Sequence, residues 1–317
     1  MQSIAYHASH EQFAPSHLLK LVRLAEKAGF DAIHSSDHFH PWSVRQGQSG
    51  FTFSWIGAAL QSTTIPFSMV CAPGDRYHPA IVAQAIATLC EMFPNRFDIE
   101  LGSGEALNEN ITGEPWPSKN VRNERLRECV DIIRKLLKGD EVNHDGHVRV
   151  KEAKLYTLPE IQPKLFCAAL SEPTSSWAAS WADGLLTTGG QMDEFIKKRK
   201  AFHNNGGAGK DVYVQLSFSY ARNKQDAIDG AHDQWRSNLV SVDKLAGLYK
   251  PEQFDNAGHN ITKEQVSESI RMFTSMNELL DFIAPYIQNG ATRIILHNLN
   301  RLQEHFIEDF EKSFVRS

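Results

Sequence analysis

Eight short apolar runs alternate with helix-like segments, and this alternation constrains the fold more than any other feature of the sequence. The runs cover residues 4–8, 30–35, 65–71, 96–101, 164–169, 184–187, 211–217 and 292–297. Between or after them, segments 15–28, 53–61, 80–92, 121–138, 173–182, 192–202 and 302–314 read as helices. Leu18, Leu19, Val22, Leu24, Ala25 and Ala28 fall at helical spacing, and Gly29 is a suitable stop. No tight turn joins one run to the next, so neighbouring strands must pair in parallel through helical crossovers. The expected class is α/β, and eight units predict a closed (β/α)8 TIM barrel. An open doubly wound sheet is the competing form, but no G-x-G-x-x-G follows the first run. Residues 142–156, turning at Asp145-Gly146, read as a side hairpin. Residues 224–290 read as a helix-rich insertion before the last strand, within one domain spanning 1–317.

In such a barrel the active site lies at the C-terminal ends of the strands. The second run ends in Ser36-Asp37-His38-Phe39-His40-Pro41-Trp42, a crowd of polar and aromatic residues where a plain turn would use Gly, Asn or Ser. The fourth ends in Gly102-Ser103-Gly104-Glu105-Ala106-Leu107-Asn108-Glu109, and Cys71-Ala72-Pro73 lies between them. Three neighbouring strands thus bring Asp37, His38, Glu105 and Asn108 to one rim, an acid–base constellation. Singly, His38 would pass for a surface or capping residue and Glu105 for a helix N-terminal acid. Their convergence carries the functional reading. His38 and His40 also form an H-x-H pair that could hold zinc in a hydrolase. Only His297 offers a further ligand, so no metal is expected. Leu170-Ser171-Glu172-Pro173-Thr174-Ser175 places hydroxyls where a helix opens, an anion site or ordinary capping. Trp42, Phe39 and Trp55 could wall a pocket for a flat ring, although Trp55 suits the core.

A net charge of -5 and a pI near 6.3 argue against nucleic acid and against a polybasic membrane anchor. No apolar stretch is long enough to span a bilayer, and residues 1–6 lack a signal-peptide pattern. Four cysteines without a C-x-x-C pair suggest reduced, buried thiols and a cytoplasmic setting.

Several longer motifs go beyond this pattern. They are Glu11-Gln12-Phe13-Ala14-Pro15, the Ser36 to Trp42 stretch, Phe53-Ser54-Trp55, Arg76-Tyr77-His78-Pro79, Pro94-Asn95-Arg96 and Gly104-Glu105-Ala106-Leu107-Asn108-Glu109. On these motifs the chain resembles the luciferase-like superfamily of flavin and deazaflavin oxidoreductases, and within it the F420-dependent glucose-6-phosphate dehydrogenases. The likeness thins after the first half to Ala182-Asp183-Gly184. The resemblance implies that Asp37 contacts the ring, that His38 and Glu105 act as acid or base, and that Trp42 stabilises the intermediate. It implies that Asn108 and the backbone around Met69, Val70 and Ala72 hold the ring, with a non-proline cis peptide at Met69-Val70.

Two departures matter. Where the resembled enzymes place a Gly-Gly pair for the cofactor phosphate, this chain has Leu170-Ser171. Where they place a lysine for the sugar phosphate, it has Gln191, close after Thr188. A neutral amide does not replace a charge-assisted phosphate contact, so glucose 6-phosphate is not the expected substrate. The altered phosphate turn tips the cofactor slightly from F420 to FMN, with Ser171, Thr174 and Ser175 holding its phosphate. The expected activity is hydride transfer between that cofactor and a small organic substrate, or monooxygenation if FMN is used. A homodimer is expected. A non-catalytic flavin-binding protein and the H-x-H hydrolase are the alternatives.

Overall fold

The structure is a computed structural model and describes residues 3–314; Met1 and Gln2, at the start of the stretch read for a signal peptide, lie outside it. The apolar runs become β1 (Ser3–Ala8), β2 (Ala32–Ser35), β3 (Phe67–Cys71) and β4 (Phe97–Leu101). A hairpin, β5 (Val142–Asp145) and β6 (Arg149–Ala153), stands apart. Then come β7 (Leu165–Ala168), β8 (Gly184–Thr188), β9 (Asp211–Tyr220), the short β10 (Met272–Phe273) and β11 (Arg293–Asn298). The order β11-β1-β2-β3-β4-β7-β8-β9 closes on itself because β9 also pairs with β11, and every pair in the ring is parallel. This is the eight-stranded barrel that the alternation implies. The strand β10 prolongs the sheet only beside the far end of β9.

The helices follow from the same alternation. They are α1 (Pro15–Lys27), α2 (Thr52–Gln61), α3 (Pro79–Met92), α4 (Ala106–Glu109), α5 (Lys119–Leu137), α6 (Glu172–Ala178) and α7 (Met192–Phe202). In α1, Pro15 sits in the first turn, where its missing N–H costs nothing, and Gly29 beyond the end has φ +93°. Leu18, Leu21, Val22 and Ala25 form its buried stripe. The polar region supplies α8 (Lys224–Trp235), α9 (Val242–Leu245), α10 (Pro251–Ala257), α11 (Lys263–Ser269) and α12 (Met276–Gln288), and α13 (Gln303–Phe314) closes the chain. Ala231, Val266, Ile270 and Leu299 give this region a small core of its own. Because α12 packs against α7 and α13, it is a barrel helix, and the extra segment ends before it.

Side chains alternate across each strand. Met69 faces outward into the apolar layer beneath the helices, together with Ile33 and Ile99. Inward, Ala5, Ala32, Phe166, Leu186, Tyr213 and Ile295 form one apolar layer. Two residues further along their strands, His7, His34 and His297 meet Glu100, a polar layer where barrels ordinarily use branched aliphatics. The expected cis peptide at Met69-Val70 is absent: no cis bond occurs among the described residues. Register with β4 is unbroken from Phe67 to Cys71, leaving no bulge in β3.

Candidate active site

His38 leaves the end of β2 with its ring 12% exposed. Its Nε2 lies 3.5 Å from Glu11 Oε1 and 3.9 Å from Glu105 Oε2. Asn108 orients it. The Asn108 Oδ1 accepts from the backbone N–H of Phe39 at 2.9 Å and of His40 at 3.4 Å, so its Nδ2 is the end that faces His38 Nδ1, at 3.3 Å. Nδ1 meets both this amide and the His40 carbonyl, each at 3.3 Å, and Nε2 is the nitrogen left facing the two carboxylates. Trp42 packs on the His38 ring with centroids 5.0 Å apart, and Phe254 meets Trp42 from the other side.

The two carboxylates live in different surroundings. Glu11 is buried. Burial opposes its ionisation, but His38 and the hydroxyls of Ser9 and Ser36, both donating to Oε2 at 2.8 Å, outweigh burial and hold its carboxyl below the usual range. Glu11 Oε1 has no hydrogen bond and faces His38. The Glu105 side chain is 46% exposed and lines the cavity. Its enclosure pushes its carboxyl up, with His38 pulling the other way. The two surroundings thus drive the acids apart, Glu11 toward the anion and Glu105 toward the protonated form.

A third network ties the loops together. Arg76 donates from Nη2 to Asp37 Oδ2 at 2.9 Å and from Nε to Glu109 Oε1 at 3.0 Å, while the Tyr77 hydroxyl donates to Asp37 Oδ1 at 3.1 Å. Even so, burial leaves Asp37 above the usual carboxylate range. Gly104, at φ +79°, lets the turn after β4 lie against Ala72; a Cβ there would sit 3.5 Å from the Ala72 Cβ and 3.1 Å from Glu109.

These groups border a cavity of about 580 Å³. Asp37, His38, Trp42, Val70, Ala72, Glu105, Asn108, Leu170, Ser171, Thr174 and Thr188 all line it. Three expected residues do not. Met69 is turned into the outer core by strand alternation. Ser175 is buried, and its hydroxyl donates back to the Ser171 carbonyl at 2.9 Å, so of that turn only Leu170, Ser171 and Thr174 reach the cavity. Gln191 stands exposed where α7 begins. Lys198 does not replace the missing cation, since its ammonium donates to the Thr188 carbonyl at 2.7 Å. His40 Nδ1 donates to the Leu107 carbonyl, 2.8 Å away, and among the described residues no three His, Cys, Asp or Glu are grouped to hold a metal ion. Trp55 is buried, its indole N–H donating to the Pro15 carbonyl.

Residue-by-residue reading of the sequence missed Glu11, Arg76 and the cations Lys119 and Arg122 of α5. Glu11 and Arg76 stand in motifs that carry the family resemblance, but each alone reads as a surface charge. Lys119 and Arg122 line the cavity beside Ser171 and Thr174, and a second groove of about 630 Å³ continues outward past Lys119, Asn123 and Arg127. The Arg122 guanidinium sits over Trp116, its Cζ 4.4 Å from the ring centroid, and its buried Nε has no partner.

A closed parallel barrel with acid–base groups converging at its strand ends defines a (β/α)8-barrel enzyme. Residues 2–291 match the family model described as luciferase-like monooxygenase, and the chain belongs to that family. It is 31% identical to the F420-dependent glucose-6-phosphate dehydrogenase of Mycobacterium avium (strain 104), over 98% of this chain and 96% of that one. It is 30% identical to the enzyme of the same name from Beutenbergia cavernae, over 99% and 97%. Among solved structures, an F420-dependent secondary alcohol dehydrogenase in complex with an F420-acetone adduct superposes with a TM-score of 0.90 at 29% identity, covering 98% of this chain and 97% of that one. The homologues and neighbours are F420- or flavin-dependent oxidoreductases and monooxygenases, and this chain is an enzyme of that kind. No helix among the described residues is long and apolar enough to cross a membrane.

Proposed function

We propose that this enzyme transfers hydride between F420 and a small, uncharged alcohol or carbonyl compound, and that glucose 6-phosphate is not its substrate. The observation that carries the proposal is His38 Nε2 held between a buried anion, Glu11, and a cavity-facing acid, Glu105. Oxidation of an alcohol needs a base for the hydroxyl proton beside a hydride acceptor, and His38 meets the first need. Glu11 stabilises the imidazolium that forms. Asn108 keeps Nδ1 from turning outward. Glu105 holds or releases a proton at the cavity edge.

The residues present fit the cofactor. Val70, Ala72 and Ala168 offer small apolar side chains against which a planar ring can lie. The unpartnered Nε of Arg122, with Lys119 beside it, suits an anionic arm, and the groove past Arg127 suits a longer acidic tail. Bound there, the deazaflavin would supply the carbon that gives or takes hydride. This groove, and the inward-turned Ser175, favour F420 over FMN for this chain. The similarity to an F420-dependent secondary alcohol dehydrogenase favours the substrate class. So does the engagement of Lys198 beside Thr188, whose ammonium donates to the Thr188 carbonyl.

The test is direct. The purified protein is titrated with F420 and with FMN by fluorescence and absorbance, and the loaded enzyme is then assayed with 2-propanol and with glucose 6-phosphate. F420 binding with 2-propanol turnover supports the proposal. Tight FMN binding without F420 affinity, or turnover of glucose 6-phosphate alone, would overturn it.

A further inference from the structure

One uncharged amide stands on the cavity floor across from the wall that backs the ring. Gln215 lies on β9, level with Thr188 of β8 and Ile295 of β11. Around the closed barrel, β9 is four strands from β3 in either direction, so Gln215 faces Val70 and Ala72 across the full width of the site. Its side chain lines the cavity, with Nε2 3.1 Å from His297 Nδ1. Its amide oxygen has no protein partner among the described residues and is not sealed from the cavity.

His297 is well placed to hold that amide. It is buried, with the His7 ring 4.1 Å away on one side and the edge of Trp235 5.2 Å away on another. The Ser217 hydroxyl lies 3.3 Å from the same Nδ1. Burial pushes its imidazole down to about 4, so it stays neutral and presents a fixed hydrogen-bonding nitrogen. Thr188, the pairing neighbour of Gln215, carries no charge, and neither do Asn238, Leu245, Leu248 and Phe254 of the same cavity lining. The cavity's cations on α5 stand elsewhere, the Lys119 ammonium donating to the Ser103 hydroxyl at 2.6 Å and Arg122 Nη1 to the Pro117 carbonyl at 2.7 Å. Asp37, Arg76 and Glu109 are bonded to one another.

We propose that Gln215, held in place by His297, is the hydrogen-bonding contact for substrate on the face of the ring opposite β3, and that it selects uncharged hydroxy and carbonyl compounds over carboxylates and phosphates. The inference rests on the reading that the ring is backed by β3. A neutral amide on a neutral floor satisfies a hydroxyl or carbonyl. An anion brought to the same floor would lose its hydration, and the ammonium beside it, Lys198, already donates to the Thr188 carbonyl. Gln215 would touch the substrate, and His297 would be a positioning residue acting through it.

In the F420-loaded enzyme with 2-propanol, Gln215→Leu is expected to raise KM by about 3- to 10-fold, the size of one neutral hydrogen bond, with F420 affinity unchanged. His297→Leu should raise KM similarly, and His297→Asn should restore most of the loss. Gln215→Lys should shift preference from 2-propanol toward lactate. A second measurement does not depend on turnover. In glutamine-labelled protein, the side-chain amide resonance of Gln215 (assigned by its loss in Gln215→Leu or Gln215→Asn) should move on addition of acetone. Normal F420 binding with an unmoved resonance and an unchanged KM in Gln215→Leu would overturn the role of Gln215 and leave the proposed function standing. An unchanged preference in Gln215→Lys would overturn the selectivity. A moved resonance in a protein that does not bind F420 would support Gln215 while removing the cofactor reading.

Discussion

In the proposed reaction His38, Glu11 and Glu105 divide the proton chemistry. His38 is the group that must gain and lose the proton, so His38→Ala should lower kcat/KM with 2-propanol by about 10²- to 10⁴-fold while F420 still binds. Fluorescence titration and steady-state kinetics on one preparation would separate the two effects; a normal kcat/KM would remove His38 from the mechanism. In that reaction Glu11, 3.5 Å from His38 Nε2, would act on the imidazole rather than on the substrate. Its carboxyl is held below the usual range, so it remains an anion across neutral pH. Glu11→Gln keeps the shape and the Ser9 and Ser36 neighbours but loses the charge under the imidazolium. The expected outcome is a loss in kcat larger than any change in KM, with an altered pH–rate profile. A profile superimposable on that of the wild type would show that Glu11 is only part of the loop's structure. None of this was legible from Glu11 alone. One acid in a loop carries no signal until the fold shows what its free oxygen faces.

At the scale of elements, the site depends on loops from different strands being locked to one another. Arg76, in the loop after β3, reaches Asp37 after β2 and Glu109 in α4. All three side chains are nearly fully buried. Removing the cation strands two buried carboxylates, so Arg76→Ala should destabilise the protein by about 3–5 kcal/mol, read from denaturant unfolding. Arg76→Ala with Asp37→Asn and Glu109→Gln should recover much of the loss. If the single variant is as stable as the wild type, the network does not hold the loops. The sequence shows the three loops as polar strand ends, and the Arg76-Tyr77-His78-Pro79 motif marks a feature there. Partner choice within the network needed the tertiary structure, because Asp37 and Arg76 are 39 residues apart.

The whole barrel carries a titratable layer beneath its site. Glu100 is fully buried, and burial raises its carboxyl from 4.5 to about 8. The folded state therefore holds this proton more tightly than the unfolded chain does. The resulting stability is complete below pH 4.5, declines as pH rises toward 8, and is flat above that. Burial lowers His34 from 6.5 to about 3 and His297 to about 4. Their contribution has the opposite sign: it is complete above pH 6.5 and is lost as pH falls toward those values. Unfolding free energy should thus decline on both the acid and the alkaline side of a maximum near neutrality. Glu100→Gln should remove most of the alkaline decline, making the variant more stable than the wild type at pH 8 by a few kcal/mol. Equal slopes for the two proteins between pH 5 and pH 8 would show that Glu100 does not titrate in this range.

The sequence alone determined the barrel, because eight alternations of apolar run and helix leave parallel closure as the way to bury every strand on both faces. It also placed Asp37, His38, Trp42, Glu105 and Asn108 on one rim, since strand ends of a barrel converge. It could not decide which hydroxyl of the 171–175 turn faces the cavity, because one turn of helix sends Ser175 inward and leaves Thr174 outside. Nor could it separate Met69 from Val70 without the pleat. The tertiary structure alone decided that His38 lies between Glu11 and Glu105, that Arg122 Nε is buried without a partner, and that Gln215 faces Val70 across the site. Those relations depend on side-chain direction and on contacts between segments far apart in the chain. A local pattern of residues does not encode them.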